Sequence, residues 1–224
     1  MRLICFDLDD TLYKEIDYLR SAYREIADYA AGQCTGCLDS VNGLAIEAYN
    51  KMLDAYHEGK NAFGELNQFL GLTLPVSDYL YIYRNHKPRI TLSEDVVRTL
   101  DALKEQGIRM GLITDGRSVQ QRNKIEALGL YRWIDEKDMV ISEEFGSEKP
   151  ALANYAYFMN RYPACQGFTY VGDNLKKDFI APNALGWMTV CLKDDGRNIH
   201  KQVVERVEEV MLPKKWIVEL DEIA

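Results

Sequence analysis

ICFDLDDTLY, residues 4–13, is the stretch from which the chain is best read outward. An apolar run ending at Phe6 passes directly into Asp7, Asp9 and Asp10. Carboxylates this close repel one another, so a fold that gathers them needs a cation or a shared proton nearby. Arg2 to Phe6 reads as a buried strand, which sets the three aspartates at its C-terminal end.

Beyond the aspartates the pattern turns helical and stays so to about Lys87. Leu19, Ala22, Tyr23, Ile26 and Ala30 recur at helical spacing, as do Leu44, Ala48, Tyr49, Met52 and Tyr56. Phe63, Leu66, Phe69 and Leu70 predict a third helix, and SDYLYIYRNH a fourth of ambiguous period. After Pro88 strands and helices alternate. Ser93 is a good N-cap for a helix that ends at Gly107, and Ile108 to Thr114 is a strand. Ser118 with Gln121 forms a capping-box pattern for the next helix, which closes at Gly129. MVIS, FTYVGD and WMTVCL are further strands, separated by helices from about Ala151 and Leu175. Gln202 to Met211 is expected to be helical, and WIVEL an edge strand. The expected fold is therefore α/β: a Rossmann-like parallel sheet core made of residues 1–13 and 90–224, interrupted by an all-helical block at 14–89. Ligands of open α/β sheets bind at the carboxyl ends of the strands, and a helical block inserted there is placed to act as a lid.

Composition narrows the function. With 224 residues, 47% hydrophobic and 28% charged, the chain resembles an ordinary globular protein. Its net charge of −8 argues against a general grip on a nucleic acid polymer or an anionic membrane. No apolar run approaches a membrane span, and the early aspartates do not suit a secretory signal, so a cytoplasmic location is expected. The five cysteines are scattered. Cys34 and Cys37 form a CxxC without a second ligand pair, which favours packing over a metal site.

Four strand ends carry the chemistry. The first ends in DLDDT, the second in LITDG; GSEKP with Lys149 follows the third, and GDNLKKD with Asp173 and Asp178 follows the fourth. In this order the motifs resemble the haloacid dehalogenase superfamily of phosphotransferases, and the block at 14–89 resembles its helical cap. SEEFGSEKP is similar to the branch of nucleotidases and sugar-phosphate phosphatases. A Mg²⁺-dependent phosphatase acting on a small phosphorylated metabolite, a nucleotide or sugar phosphate, is the expectation, with a phosphomutase or a non-catalytic scaffold protein as alternatives. Asp7 is the expected nucleophile, forming an aspartyl-phosphate, and Asp9 the acid and base. Asp7 and Asp173 are expected to hold Mg²⁺, a hard ion that prefers oxygen ligands; the resemblance adds the backbone carbonyl of Asp9. Thr114, with the amides around Asp115 and Gly116, is expected to bind phosphoryl oxygens, and Lys149 to offset their charge.

Other residues receive smaller parts. Asp178 reads as support for the metal, a partner for Lys149 or a helix-surface charge, and Asn174 as a residue that orients the metal or its loop. Asp10 is expected to cap the turn into the insertion and Thr11 to tie that loop by hydrogen bonds. Lys176 and Lys177 are expected in solvent, and Arg117 near the phosphate. His57, His86 and His200 are isolated and receive no catalytic role. Aromatic residues of the insertion, among them Tyr18, Phe63, Tyr79 and Tyr83, read as helix packing before nucleobase stacking. The presence of Asp9 argues against dehalogenation, because a halide leaves without a proton.

Overall fold

A computed structural model describes residues 1–34 and 38–223. Cys37, and with it the Cys34–Cys37 pair, lies outside the described residues. The chain divides into two compact units, one of Met1–Ile16 with Thr91–Ala224 and one of Asp17–Ile90.

The first unit is built on six parallel strands. In chain order the elements are β1 (Arg2–Phe6), α1 (Glu15–Gly32), α2 (Leu38–His57), α3 (Ala62–Leu70), α4 (Val76–Asn85), α5 (Glu94–Glu105), β2 (Arg109–Thr114), α6 (Ser118–Ala127), β3 (Met139–Ile141), α7 (Ser142–Phe145), α8 (Leu152–Arg161), β4 (Gly167–Gly172), α9 (Ile180–Ala184), β5 (Met188–Leu192) and β6 (Lys215–Ile217). The sheet runs β3-β2-β1-β4-β5-β6, with every adjacent pair parallel. This is the Rossmann-like order, and its direction of winding reverses beside β1, where β4 is the other neighbour. Both central strands read as near-continuous apolar runs because helices cover both faces. Leu3, Cys5, Tyr155, Phe158, Tyr170 and Trp187 pack into one buried cluster behind the strand ends. β1 and β4 are held in register from Arg2 opposite Gly167 to Phe6 opposite Val171, and the Asp7 amide donates to the Val171 carbonyl at 2.8 Å. The register thus brings the residues after β1 and β4 side by side.

Among its described residues the second unit holds helices and no strand, and α1 begins at the end of the first unit's opening segment. Its aromatic residues do pack as core: Tyr18 and Tyr79 are fully buried, with ring pairs Tyr18–Tyr83 at 5.3 Å and Phe63–Tyr79 at 5.4 Å. Each buried hydroxyl finds an acceptor, the Tyr83 carbonyl for Tyr18 and the Asn67 amide oxygen for Tyr79. His86 is buried in this unit between Ser21 and Glu25.

Three local expectations need correction. Gln202–Met211 is not an α-helix; it holds only two single turns, Val204–Arg206 and Glu209–Met211. Side chains hold the segment instead: Gln202 donates to the carbonyls of Asp173 and Leu192, and Asn183 of α9 donates to those of Val210 and Leu212. The helix expected from Leu175 starts at Ile180, because the preceding residues wrap around Asp178. The Ser118–Gln121 capping box does not form. Ser118 binds Glu143 and Glu144, while Gln121 turns inward.

Candidate active site

β1 and β4 deliver Asp7 and Asp173 to the carboxyl edge of the sheet, where both are buried. Asp7, Asp173 and Asp178 offer carboxylate oxygens that all lie within 4.8 Å of one another. Asp178 is already committed. One of its oxygens accepts the amides of Asp173 and Asn174 at 3.0 and 2.8 Å, and the other accepts the Lys149 ammonium at 2.8 Å. Asp178 is thus a partner of Lys149 and, being buried, not a helix-surface charge. It also ties down the loop that carries Asp173.

Gly172 makes room for this arrangement. A Cβ there would lie 2.5 Å from the Asp178 carboxylate, well inside contact distance. We expect Gly172→Ala to destabilise the protein by about 1–3 kcal/mol, as overpacking does, and to shift the thermal unfolding midpoint down. An unchanged midpoint would show that the Asp178 loop yields freely.

Lys149 is fully buried and bridges Asp178 and Asp7, with its ammonium 2.9 Å from the latter. It also donates to the Tyr170 hydroxyl at 3.0 Å. Burial alone would discharge a lysine, but Asp178 and Asp7 outweigh it and hold the ammonium charged well above its usual range. One ammonium does not neutralise the carboxylates around it. Burial, followed by repulsion from Asp178, Asp7 and Asp10, pushes Asp173 up to about 9. Asp7 is pushed up to about 7 by burial, with Lys149 opposing and Asp178 adding to the rise. Two buried carboxylates that resist ionisation beside a small cavity offer the oxygen donors a hard divalent cation suits. The residues therefore fit Mg²⁺.

The cavity holds about 110 Å³ and is lined by Asp7, Asp9, Thr114, Asp115, Asp173 and Asn174, with Asp10, Glu15, Lys177 and His200 completing the wall. Thr114 ends β2 with its hydroxyl accepting from Gln121 at 2.6 Å. Asp115 accepts the Lys149 amide at 3.0 Å and faces the Lys177 ammonium at 3.1 Å. Gly116 has φ 145°, a backbone setting that favours glycine, and its amide donates to the Ser142 hydroxyl at 3.0 Å. That amide is therefore engaged by protein in this structure. Asn174 sits on the cavity wall, and its side-chain oxygen accepts the Lys176 amide at 3.1 Å.

Several assignments change. Lys177 is not a solvated lysine: it lines the cavity and pairs with Asp115, whose charge draws it inward. Arg117 points elsewhere, with its exposed guanidinium paired to Glu143 at 2.5 Å. Exposed ion pairs contribute little, so Arg117→Ala is expected to leave kcat/KM within about twofold of wild type in a steady-state phosphate-release assay. Asp10 does cap the turn: it adopts φ 57° and accepts the Glu15 and Ile199 amides at 2.9 and 2.8 Å. Thr11 does not tie the loop, since its buried hydroxyl finds no partner among the described residues.

Asp9 has the most crowded surroundings. Lys124 donates to both of its oxygens at 2.7 and 2.9 Å, Gln121 donates at 3.0 Å, and the Tyr13 hydroxyl also donates. Burial would raise the Asp9 carboxyl, but Lys124, Tyr13 and Gln121 outweigh it and keep it below the usual carboxylate range. Glu15, 3.9 Å from Lys124, is pushed up to about 8 by burial and by repulsion from Asp9. Sequence reasoning missed Lys124 and misread Gln121. The signal was present: Gln121, Lys124, Ile125 and Leu128 form the inward stripe of α6, and two of these four are polar. Asn198 was missed as well; it is buried and donates to Asp173 at 3.0 Å while accepting from Lys14.

A haloacid dehalogenase-like hydrolase family model matches residues 4–192, which include every one of the strand-end motifs. The chain belongs to this family. Among its relatives, the glyceraldehyde 3-phosphate phosphatase of Methanocaldococcus jannaschii is 32% identical over 195 residues, which are 84% of this chain and 82% of that protein. The enzyme of the same name from Methanopyrus kandleri is 29% identical over 210 residues, covering 86% and 84%. The ribulose-1,5-bisphosphate 5-phosphatase of Halopiger xanaduensis is 34% identical over 102 residues, 45% of this chain and 42% of its own length. Among solved structures, the HAD-hydrolase YfnB from Bacillus subtilis, determined with magnesium bound, has the same fold at a TM-score of 0.67 and 20% identity, over 99% of this chain and 96% of that one. Among the described residues no helix is long and apolar enough to cross a membrane.

Proposed function

We propose that this hydrolase removes phosphate from a small sugar phosphate, with Asp7 as nucleophile and Mg²⁺ held by Asp7, Asp173 and the Asp9 carbonyl. The chain is a phosphoric monoester hydrolase, and its relatives' names favour triose or pentose phosphates as the substrate class. One observation carries the reading: Asp7 and Asp173 are buried together at the carboxyl edge of the sheet, beside a small cavity, with too little positive charge to ionise both.

Asp7 attacks phosphorus while the bond to the leaving oxygen breaks, which places the phosphoryl group on its carboxylate. Asp9 supplies the proton that the leaving oxygen takes up. It then accepts a proton from the water that attacks the aspartyl-phosphate, and inorganic phosphate departs with the Asp7 carboxylate restored. The Thr114 hydroxyl, the Asp115 amide and the Lys177 ammonium hold the phosphoryl oxygens, and Lys149 offsets their charge from behind Asp7. Asp178 fixes Lys149 and the Asp173 loop, and Asn174 shapes the wall beside them. Mg²⁺ bound there supplies charge that stabilises the phosphoryl oxygens and keeps Asp7 ionised. The helical unit acts as the cap, and the cytoplasm is the setting we assign.

Phosphatase names among the relatives favour hydrolysis over the mutase outcome, and the gathering of three strand ends at one cavity, with Lys149 of the remaining motif 2.9 Å from Asp7, favours chemistry over a scaffold. The test is phosphate release from a panel of triose, pentose and hexose phosphates, nucleoside monophosphates and phosphoglycolate in Mg²⁺. Sugar phosphates should give the highest kcat/KM. A nucleotide at the head of the ranking would overturn the substrate class.

A further inference from the structure

We propose that a cleft beside the catalytic cavity is a second anion subsite, in which Lys176, Lys201 and His200 receive a carboxylate or phosphate at the far end of the substrate. The inference rests on the hydrolase reading above and narrows its substrate class to sugar phosphates that carry a second anionic group.

The catalytic cavity holds about 110 Å³, whereas sites for small molecules run to roughly 300–1,000 Å³, so most of a substrate must lie outside it. A cleft of about 440 Å³ adjoins it, and Asp173, Asn174 and His200 line both spaces. A molecule with its phosphoryl group at Asp7 can therefore extend past these three residues into the cleft. Residues 173–176, after β4, form one part of its wall, and residues 199–203 with Val207 form the other. Both parts are fastened. Asp178 accepts the amides of Asp173 and Asn174, and the Asn174 side chain accepts the Lys176 amide. On the other side the buried Asn198 donates to the Asp173 carboxylate at 3.0 Å, the Ile199 amide donates to Asp10 at 2.8 Å, and Gln202 donates to the Asp173 carbonyl at 2.9 Å. The cleft is thus preformed, which lowers the ordering cost of binding.

Charge decides what it takes. The chain carries a net charge of −8, yet among the described residues Asp173 is the one acidic residue lining the cleft, at the end shared with the catalytic cavity. Lys176, His200 and Lys201 line the rest and are exposed. Lys176 has no ion-pair partner among the described residues, and the carboxylate facing Lys201, that of Asp194, is 3.9 Å away. The other Asp194 oxygen is taken by the amides of Gly196 and Asn198. Ammonium groups bind an oxyanion more strongly than a neutral carbonyl or hydroxyl, so this wall discriminates in favour of a second negative group. Leu175 and Ile199 supply apolar surface for the carbon chain between the two anions.

The experiment uses the full chain with Mg²⁺ and two matched pairs of substrates. The first pair is 3-phosphoglycerate and glyceraldehyde 3-phosphate, which differ by a carboxylate; the second is ribulose 1,5-bisphosphate and ribulose 5-phosphate, which differ by a phosphate. Wild type should favour the doubly anionic member of at least one pair by about tenfold in kcat/KM, as a charge-assisted hydrogen bond allows, and the pair that shows the preference tells which group the cleft takes. The variant carrying both Lys176→Met and Lys201→Met should lose most of that preference, chiefly through a higher KM for the anionic member. If none of the four is hydrolysed, each competes against p-nitrophenyl phosphate and its inhibition constant replaces kcat/KM. Equal values within both pairs, a preference for the neutral members, or a preference that survives the double substitution would overturn the proposal. A double variant that loses the same factor on both members of a pair would overturn it too, since a structural role predicts that result. The underlying reading fails separately, when wild type releases no phosphate from any ester, p-nitrophenyl phosphate included.

Discussion

Asp7→Asn lowers phosphate release by about 10⁴-fold or more on every ester, the scale seen when a nucleophile is removed. The amide is nearly isosteric with the carboxylate, so the fold should persist and the loss should be catalytic. Asp7 is held from several sides: it follows β1, bonds to β4 through its amide and meets the Lys149 ammonium at 2.9 Å. Chelation of wild-type enzyme with EDTA should abolish activity to a similar extent, and added Mg²⁺ should restore it. The asparagine variant should stay inactive at any Mg²⁺ concentration. Activity that survives EDTA would remove Mg²⁺ from the mechanism, and activity that survives the substitution would remove Asp7.

Lys149→Met has the second large effect, and it falls on stability as well as rate. The substitution leaves Asp178, with no side-chain exposure, and Asp7, with 7%, facing each other without the cation between them. Removing one partner of a buried ion pair costs about 3–5 kcal/mol, because the remaining charge is stranded away from water. For a chain of this size that corresponds to a fall of roughly 6–20 °C in Tm. Saturating Mg²⁺ should recover part of the loss, since a dication held by Asp7 and Asp173 as proposed would screen the same repulsion. A Tm unaffected by the substitution would mean that the Asp178 loop opens to solvent at little cost.

The two substitutions address one electrostatic problem from opposite sides. In the bare protein Asp7 resists ionisation while Asp9, gripped by Lys124, does not. A nucleophile and a proton donor need the reverse order. The sequence reading, with Asp7 as nucleophile and Asp9 as the acid and base, implies the opposite sense. The sense depends on Lys124, which is 115 residues from Asp9 in the chain.

Much of the chemistry was legible because it is local or periodic. The strand before Asp7, the helical insertion, the β/α alternation and the strand ends carrying Thr114, Lys149 and Asp173 all follow from runs of apolar residues and their spacing. A parallel sheet obliges its strands to end at one edge, so residues read at strand ends could be assigned to one place without any coordinates. Expectations failed where a side chain prefers a distant partner to a local one. Gln121 has the sequence of a capping residue, yet it serves Thr114 and Asp9; Lys177 looked like a surface charge, yet it faces Asp115. The Gln202–Met211 segment carries helix-compatible residues, but Gln202 reaches the carbonyls of Asp173 and Leu192, and the Val210 and Leu212 carbonyls accept from Asn183 of α9.

By itself, then, the sequence determined the class of fold, the edge at which the site lies and the residues after each strand, since all three depend on short-range pattern and on the common direction of parallel strands. Tertiary structure alone decided which ammonium meets which carboxylate: Lys149 with Asp7 and Asp178, Lys124 with Asp9, Lys177 with Asp115. Those pairings depend on distances between elements far apart in the chain. Coulomb energies and burial act over a few ångströms of space, and sequence separation carries no record of them.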